Sequence, residues 1–273
     1  MPPPPDLPGV QHHYVQAGEV RLHYALAGPP DGEPVVLVHG WPQHFYAWRK
    51  VIPLLTGRFR VMAVDLRGFG WSDAPPTTYR KEELAGDVTA FLDTLELEDV
   101  RLAGHDWGGF ACLLAAARAP RRLRSVVGFA IPAPWSTGRP SPAAVATALA
   151  YQPLLAAPFL GRAAQRFTPI VDLVLRAGAR LSGEERAIFA APFREPARAE
   201  AASRVYRSYL LHEVGRPYRG PRLEVPGRLV LGRSDVVVTP GLAEGAGIDV
   251  EVVDGGHFLP EEQPAIVAER IAA

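Results

Sequence analysis

The chain has 273 residues, which at about 150 per domain means one large domain or two modest ones, and its hydrophobic share of 48% is enough for a substantial core. Its 29 Lys and Arg balance 29 Asp and Glu, which argues against a surface built to neutralise nucleic-acid phosphates. The single cysteine, Cys112, excludes an internal disulfide and any cysteine-based zinc cluster.

Residues 1–9, rich in proline, have neither a basic nor an apolar region of the kind a signal peptide needs. They read as a frayed polyproline-like tail, and the chain is expected to be cytoplasmic. From His12 to Ala27 the pattern is a hairpin, with Ala17-Gly18-Glu19 as its turn. Val35-Val-Leu-Val38 is a short apolar run bounded by Pro34 and Gly40, as expected of a strand buried on both faces. The runs at 60–64, 100–103 and 125–130 repeat it. Between them Leu84, Val88, Phe91, Leu92 and Leu95 recur on one helical face. Cys112 sits in a second apolar helical run, where a buried thiol is the simplest reading. Strand alternating with helix implies right-handed crossovers and a parallel sheet.

From about residue 135 strand signals cease, and 140–221 holds helix-like pieces broken by prolines. The uncharged stretch 140–161 is interrupted by Pro142, Pro153 and Pro158, so it is not read as a membrane span. Strands resume at 228–231 and 249–253, followed by a terminal helix. The expected fold is therefore α/β, a mostly parallel central sheet built from residues 10–134 and 221–273, with a helical cap at 135–220.

Gly104-His-Asp106-Trp-Gly108-Gly109 joins a predicted strand to a predicted helix. Its spacing is that of a tight nucleophile turn, with Asp where Ser is usual, and small residues flank the centre because other side chains would clash. A helix N-terminus favours the ionised carboxylate. His39-Gly-Trp41-Pro42 ends the first buried strand, so the backbone N–H groups of Trp41 and Trp107 can converge on one oxygen. Asp235 follows one late strand and His257 the next. The order Asp106, Asp235, His257 is nucleophile, orienting acid, general base.

With these motifs, and with Asp65-Leu-Arg-Gly-Phe-Gly-Trp-Ser72, the chain resembles the α/β-hydrolase superfamily, in particular its epoxide hydrolase and haloalkane dehalogenase branch with an aspartate nucleophile. A carboxylate suits displacement at saturated carbon, which leaves an alkyl-enzyme ester for the histidine to hydrolyse. The dehalogenases of that branch cradle halide with two side-chain N–H donors, whereas epoxide opening needs a proton or strong hydrogen bonds to the departing oxygen. None of the five tryptophans lies in the cap beyond its first residues, and Trp41 and Trp107 stand where some dehalogenases carry Asn and Arg. Tyr151 and Tyr206 lie where the resemblance places the two cap tyrosines of epoxide hydrolases, with Tyr209, on the same helical face as Tyr206, a rival for the second place.

The expectation is an epoxide hydrolase acting on a small apolar epoxide and water without metal or organic cofactor. A haloalkane or haloacid dehalogenase and a non-catalytic binding protein are the alternatives, and the oligomeric state is open between monomer and homodimer. Other signals read as structural. His12 and His13 point to opposite faces of a strand, His105 points away from the site, and His44 and His212 are surface or pocket-wall residues. Asp65, Asp73 and Asp254 are turn formers, and Glu184-Glu185-Arg186 is a solvated helix face.

Overall fold

The computed structural model describes residues 1–216 and 218–273. Eight strands form one sheet: β1 (Gln11–Ala17), β2 (Val20–Ala27), β3 (Glu33–Val38), β4 (Phe59–Val64), β5 (Val100–His105), β6 (Leu123–Phe129), β7 (Gly227–Gly232) and β8 (Asp249–Val253). Their order is β1-β2-β4-β3-β5-β6-β7-β8. The β1–β2 and β2–β4 pairs are antiparallel and every other pair is parallel. The continuous apolar runs are the parallel strands, because helices cover both faces and leave no wet side for polar residues. Val35, Val36, Leu37 and Val38 of β3 are all fully buried.

Among the core helices, α1 (Ile52–Leu55) is a single turn, and α2 (Lys81–Thr94) presents Leu84, Val88, Phe91 and Leu92 inward. The run of small residues in α3 (Trp107–Arg118) lets it pack closely against α2, β5 and β6, and Cys112 is buried there. Five helices lie between β6 and β7: α4 (Pro142–Ala156), α5 (Leu160–Phe167), α6 (Ile170–Gly178), α7 (Gly183–Ala190) and α8 (Pro196–His212). They form the inserted cap, with α8 packed on α4 and α5. Their starts follow ordinary chemistry: Ser141 caps α4 with Pro142 in the first turn, and Ser182 and Glu185 form a capping box on α7. After the cap, α9 (Leu259–Glu262) and α10 (Pro264–Ala272) close the chain. The axes of α4 and α5 differ by 100°, and no single helix among the described residues is long and apolar enough to cross a membrane.

The structure departs from the sequence reading in four places. The proline tail is docked: Trp71 Nε1 donates to the Pro2 carbonyl at 2.8 Å, and Arg198 Nε of α8 reaches Met1 Sδ. A polyproline segment has no internal hydrogen bonds, so its carbonyls are free for such partners. Asp65 is no turn former. It is fully buried at the end of β4, accepting from His23 Nδ1 (2.8 Å), Phe45 N (2.6 Å) and Trp71 N (2.9 Å). Burial opposes its charge, yet His23 and its hydrogen bond, with His39 and His44, hold the carboxyl far below the usual range. His44 is buried too, against Trp71 and Phe189, where core meets cap. Within the expected solvated face, Glu185 instead pairs with the core residue Arg49, and Arg186 with Asp172 at 2.7 Å.

Candidate active site

Asp106 stands between β5 and α3 with φ 50° and ψ −127°. A non-glycine residue held there costs roughly 1–3 kcal/mol and persists only where its surroundings fix it. Here they do. The Asp106 N–H donates to the Phe129 carbonyl at 3.0 Å, and a Cβ at Gly108 would strike the carbonyls of Val38 and His39. The turn lifts the carboxylate above the sheet edge, where the Trp41 N–H reaches Oδ2 at 2.9 Å and the Trp107 N–H also bonds the group. Both donors hold the carboxylate, Trp41 through Oδ2.

The other oxygen, Oδ1, lies 3.9 Å from His257 Nε2. His257 follows β8, and its Nδ1 is 2.8 Å from Oδ2 of Asp235, which follows β7. A carboxylate only accepts, so Nδ1 carries the proton and Nε2 is left facing Asp106. Oδ1 of Asp235 accepts from the N–H groups of Val237 (2.7 Å) and Val238 (2.9 Å). Although burial resists it, the His257 ring and these hydrogen bonds keep the Asp235 carboxyl below its ordinary value. Burial likewise opposes charge on His257, but Asp235, with Asp106 behind it, lifts the imidazole to about 9. For Asp106 burial wins: against the pull of His257 and the two N–H groups, the carboxyl is raised to about 6. At neutral pH the two form an ion pair.

The cap supplies a roof of aromatic rings. Tyr151 on α4 stacks on Trp41 (centroids 6.1 Å apart, planes at 12°). Tyr206 on α8 meets Trp41, Trp107 and Tyr151 edge to face at 5.3, 5.6 and 6.0 Å. Burial first, with the charge of Asp106 adding to it, pushes both phenols up, so each remains a donor across the neutral range. Tyr209 packs on Trp107 at 5.1 Å beside Lys81, and no ring contact joins it to Trp41 or Tyr151 among the described residues. Asp106, Asp235, His257, Trp41, Trp107, Tyr151 and Tyr206 thus converge from six separate stretches of chain, with Tyr209 one layer out.

Three side chains about the site carried no sequence signal. His105 does point away from the cavity, but its Nε2–H donates to the His257 carbonyl at 2.7 Å, fixing the loop that carries the imidazole. Burial, then the neighbouring His257, hold its ring neutral, down at about 3. Lys81 is buried, with Nζ 4.1 Å over the Trp107 ring and 3.4 Å from Glu213 just past α8. Gln165 accepts from Trp41 Nε1 at 2.9 Å. A lysine at a helix start and an amide among small residues read as solvent-facing side chains until the fold brings the partners.

Comparison with known proteins agrees with this architecture. The chain is 46% identical over 100 residues to the soluble epoxide hydrolase of Corynebacterium sp. (strain C12), which covers 37% of this chain and 34% of that protein. Epoxide hydrolase B of Mycobacterium tuberculosis is 40% identical over 126 residues, 44% of this chain and 35% of the relative. Both matches therefore span little more than a third of the relatives' length. The crystal structure of Cfl2 from Burkholderia cenocepacia superimposes with a TM-score of 0.82 at 26% identity, covering 97% of this chain and 95% of the other. The alpha/beta hydrolase fold, as a sequence family, matches residues 33–174, running from β3 through the nucleophile turn into α6. With more than half of its length so matched, the chain belongs to that family.

Proposed function

We propose that the protein hydrolyses small apolar epoxides to vicinal diols through a covalent ester on Asp106. The observation that carries this reading is the two-sided geometry of one carboxylate: the Trp41 N–H holds Oδ2, while Oδ1 faces His257 beneath the Tyr151–Tyr206 roof. In the first step Oδ1 attacks a ring carbon, the C–O bond of the oxirane breaks, and a phenol O–H of Tyr151 or Tyr206 gives its proton to the departing oxygen. Oδ2, already in the N–H pair, becomes the ester carbonyl oxygen. Once esterification has removed the Asp106 charge, the His257 imidazolium gives its Nε2 proton to the phenolate, and in the second step the freed Nε2 takes a proton from water, which attacks the ester carbon. Negative charge then gathers on Oδ2, where each N–H donor is worth about 3 kcal/mol. Collapse passes the added hydroxyl's proton to the departing oxygen, releases the diol and restores the carboxylate beside the imidazolium from which the cycle began.

The dehalogenase reading has one observation in its favour: Trp107 Nε1 is buried with no partner among the described residues. A halide cradle needs a second such donor. The indole N–H groups of Trp41, Trp71 and Trp135 are taken by Gln165, Pro2 and Ala246, and Trp48 packs on Phe129 in the core with no ring contact to the site residues among the described residues, so the phenols favour the epoxide. The relatives named epoxide hydrolases support the same choice. Two panels, one of terminal and aryl epoxides and one of haloalkanes, decide it. Diol formation with no halide release is expected. Halide release without diol formation selects the dehalogenase, and tight binding without turnover on either panel selects a binding protein.

A further inference from the structure

Trp41 touches Asp106 and both cap phenols. Its N–H holds Asp106 Oδ2, and its ring is the plate on which Tyr151 lies flat and against which Tyr206 stands edge-on. The orientation of that indole therefore sets where both phenols sit relative to the nucleophile. Indole hydrogen bonding is not automatic in this protein, since Nε1 of Trp48 and of Trp107 are buried without partners. That of Trp41 is bonded, and to the cap. Gln165 of α5 is 4% exposed, and its Oε1 accepts from Trp41 Nε1 at 2.9 Å. Its Nε2 faces the carbonyls of Gly161 (3.3 Å) and Ala199 (3.2 Å) and Ser203 Oγ (3.0 Å). This pattern fixes the amide's orientation. An indole N–H can only donate and a carbonyl can only accept, so a flipped amide would lose its bonds on both sides.

We infer that Gln165 is a positioning residue: by anchoring the Trp41 indole to α8, the helix that carries Tyr206, it holds the nucleophile loop and the two phenols in one register. Gln165 touches no reacting atom, and its effect passes through Trp41. The inference rests on the epoxide-opening reading for its kinetic consequence but not for the contact itself.

The test uses Gln165→Leu and Trp41→Phe in the full chain, singly and together. Trp41→Phe keeps the plate and the backbone N–H but removes the indole donor. In single-turnover reaction with an aryl epoxide, each single variant is expected to alkylate Asp106 about 10- to 100-fold more slowly, the scale of misplacing a reacting group, with KM changed by less than about threefold because the apolar walls remain. The double variant should be no slower than the worse single variant, because both remove the same link. Losses that multiply would show that Gln165 acts only by packing the cap. The second readout needs no turnover. Among the indole signals of the five tryptophans in ¹⁵N-labelled protein, the one absent in Trp41→Phe identifies Trp41. That signal should be protected from hydrogen exchange in the parent and unprotected in Gln165→Leu. An unmoved signal refutes the tether. A deprotected signal with parent-rate alkylation refutes the positioning role. If the parent opens no epoxide, the functional reading fails while the exchange result still decides the contact. Should Gln165→Leu not fold, parent-rate alkylation by Trp41→Phe overturns the inference alone.

Discussion

Asp235→Asn should separate the two chemical steps. The substitution keeps the shape of the side chain, and its oxygen can still accept from Val237 and Val238. The NH2 group then faces His257 Nδ1, which in the parent donates to Asp235 at 2.8 Å. Two donors cannot share that contact, so Nδ1 must become the acceptor and the proton moves to Nε2, the atom that has to receive one from water. The charge effect adds to this. His257 is raised from 6.5 to about 9 with Asp235 as the leading favourable partner, a shift equivalent to about 3 kcal/mol in favour of the imidazolium. Together these predict a hydrolytic rate constant lower by about 10³–10⁴, the scale seen when a base loses its orienting acid. Alkylation uses Oδ1, the N–H pair and the phenols, none of which Asp235 touches, so it should change by less than about tenfold at pH 8. Rapid quenching with excess aryl epoxide should give one equivalent of adduct per chain, seen as a mass increase equal to the epoxide and mapped to Asp106, followed by very slow diol release. Steady turnover near the parent rate without adduct, or alkylation slowed as much as hydrolysis, would refute the assignment of Asp235 and His257 to the second step.

Other outcomes follow from the same geometry. Tyr206→Phe and Tyr151→Phe should each slow alkylation about 10- to 100-fold and leave hydrolysis of a preformed ester nearly untouched; equal loss in both steps, by single-turnover kinetics, would contradict their role as donors. Gly40→Ala would set a methyl against the Asp106 carboxyl, so circular dichroism should report a folded protein that no longer forms the adduct. Asp106→Asn should be inactive yet more stable at pH 7.5. The carboxyl is at 3.8 when unfolded and at about 6 when folded, so the folded state binds the extra proton, and stability falls as pH rises through that window. Above it the burial cost is at most about 3 kcal/mol. A melting-temperature gain at pH 7.5 that vanishes near pH 4 checks the sign. The same group should give kcat/KM an acid limb near pH 6, falling tenfold per unit below it.

The parts of this molecule legible in its sequence are those that local rules fix. The runs at 35–38 and 100–103 could only be strands buried on both faces, and the glycines around Asp106 mark a turn that few other residues allow. The chain order of Asp106, Asp235 and His257 carries meaning because each follows a strand. What was not legible depends on partners far away in sequence. Asp65 and a surface turn aspartate look alike until β2 brings His23 beneath it. Gln165 and Lys81 acquire partners only when the cap folds over the core. The proline tail gave no hint of Trp71, because polyproline shows only what a segment cannot do with itself.

Beside the aromatic contacts that Tyr151, Tyr206 and Tyr209 make with Trp41 and Trp107, the cap meets the core through polar pairs: Gln165 to Trp41, Lys81 to Glu213, and Arg49 to Glu185. Such pairs add little net stability because desolvation offsets their attraction, but they tolerate few alternative alignments. An apolar seam could slide by a fraction of a side chain and still bury its area. Matched donors and acceptors cannot, and on the proposed mechanism that matters because Tyr151 and Tyr206 belong to the cap and Asp106 to the core. The charges add an order in time. On the proposed mechanism Asp235, and after it Asp106, hold His257 as a cation in the free enzyme and so suppress the base. Esterification removes that charge, the imidazole loses part of its support, and its proton affinity falls toward the range where it can take one from water. His257 therefore becomes competent after the ester exists, when there is something for activated water to attack.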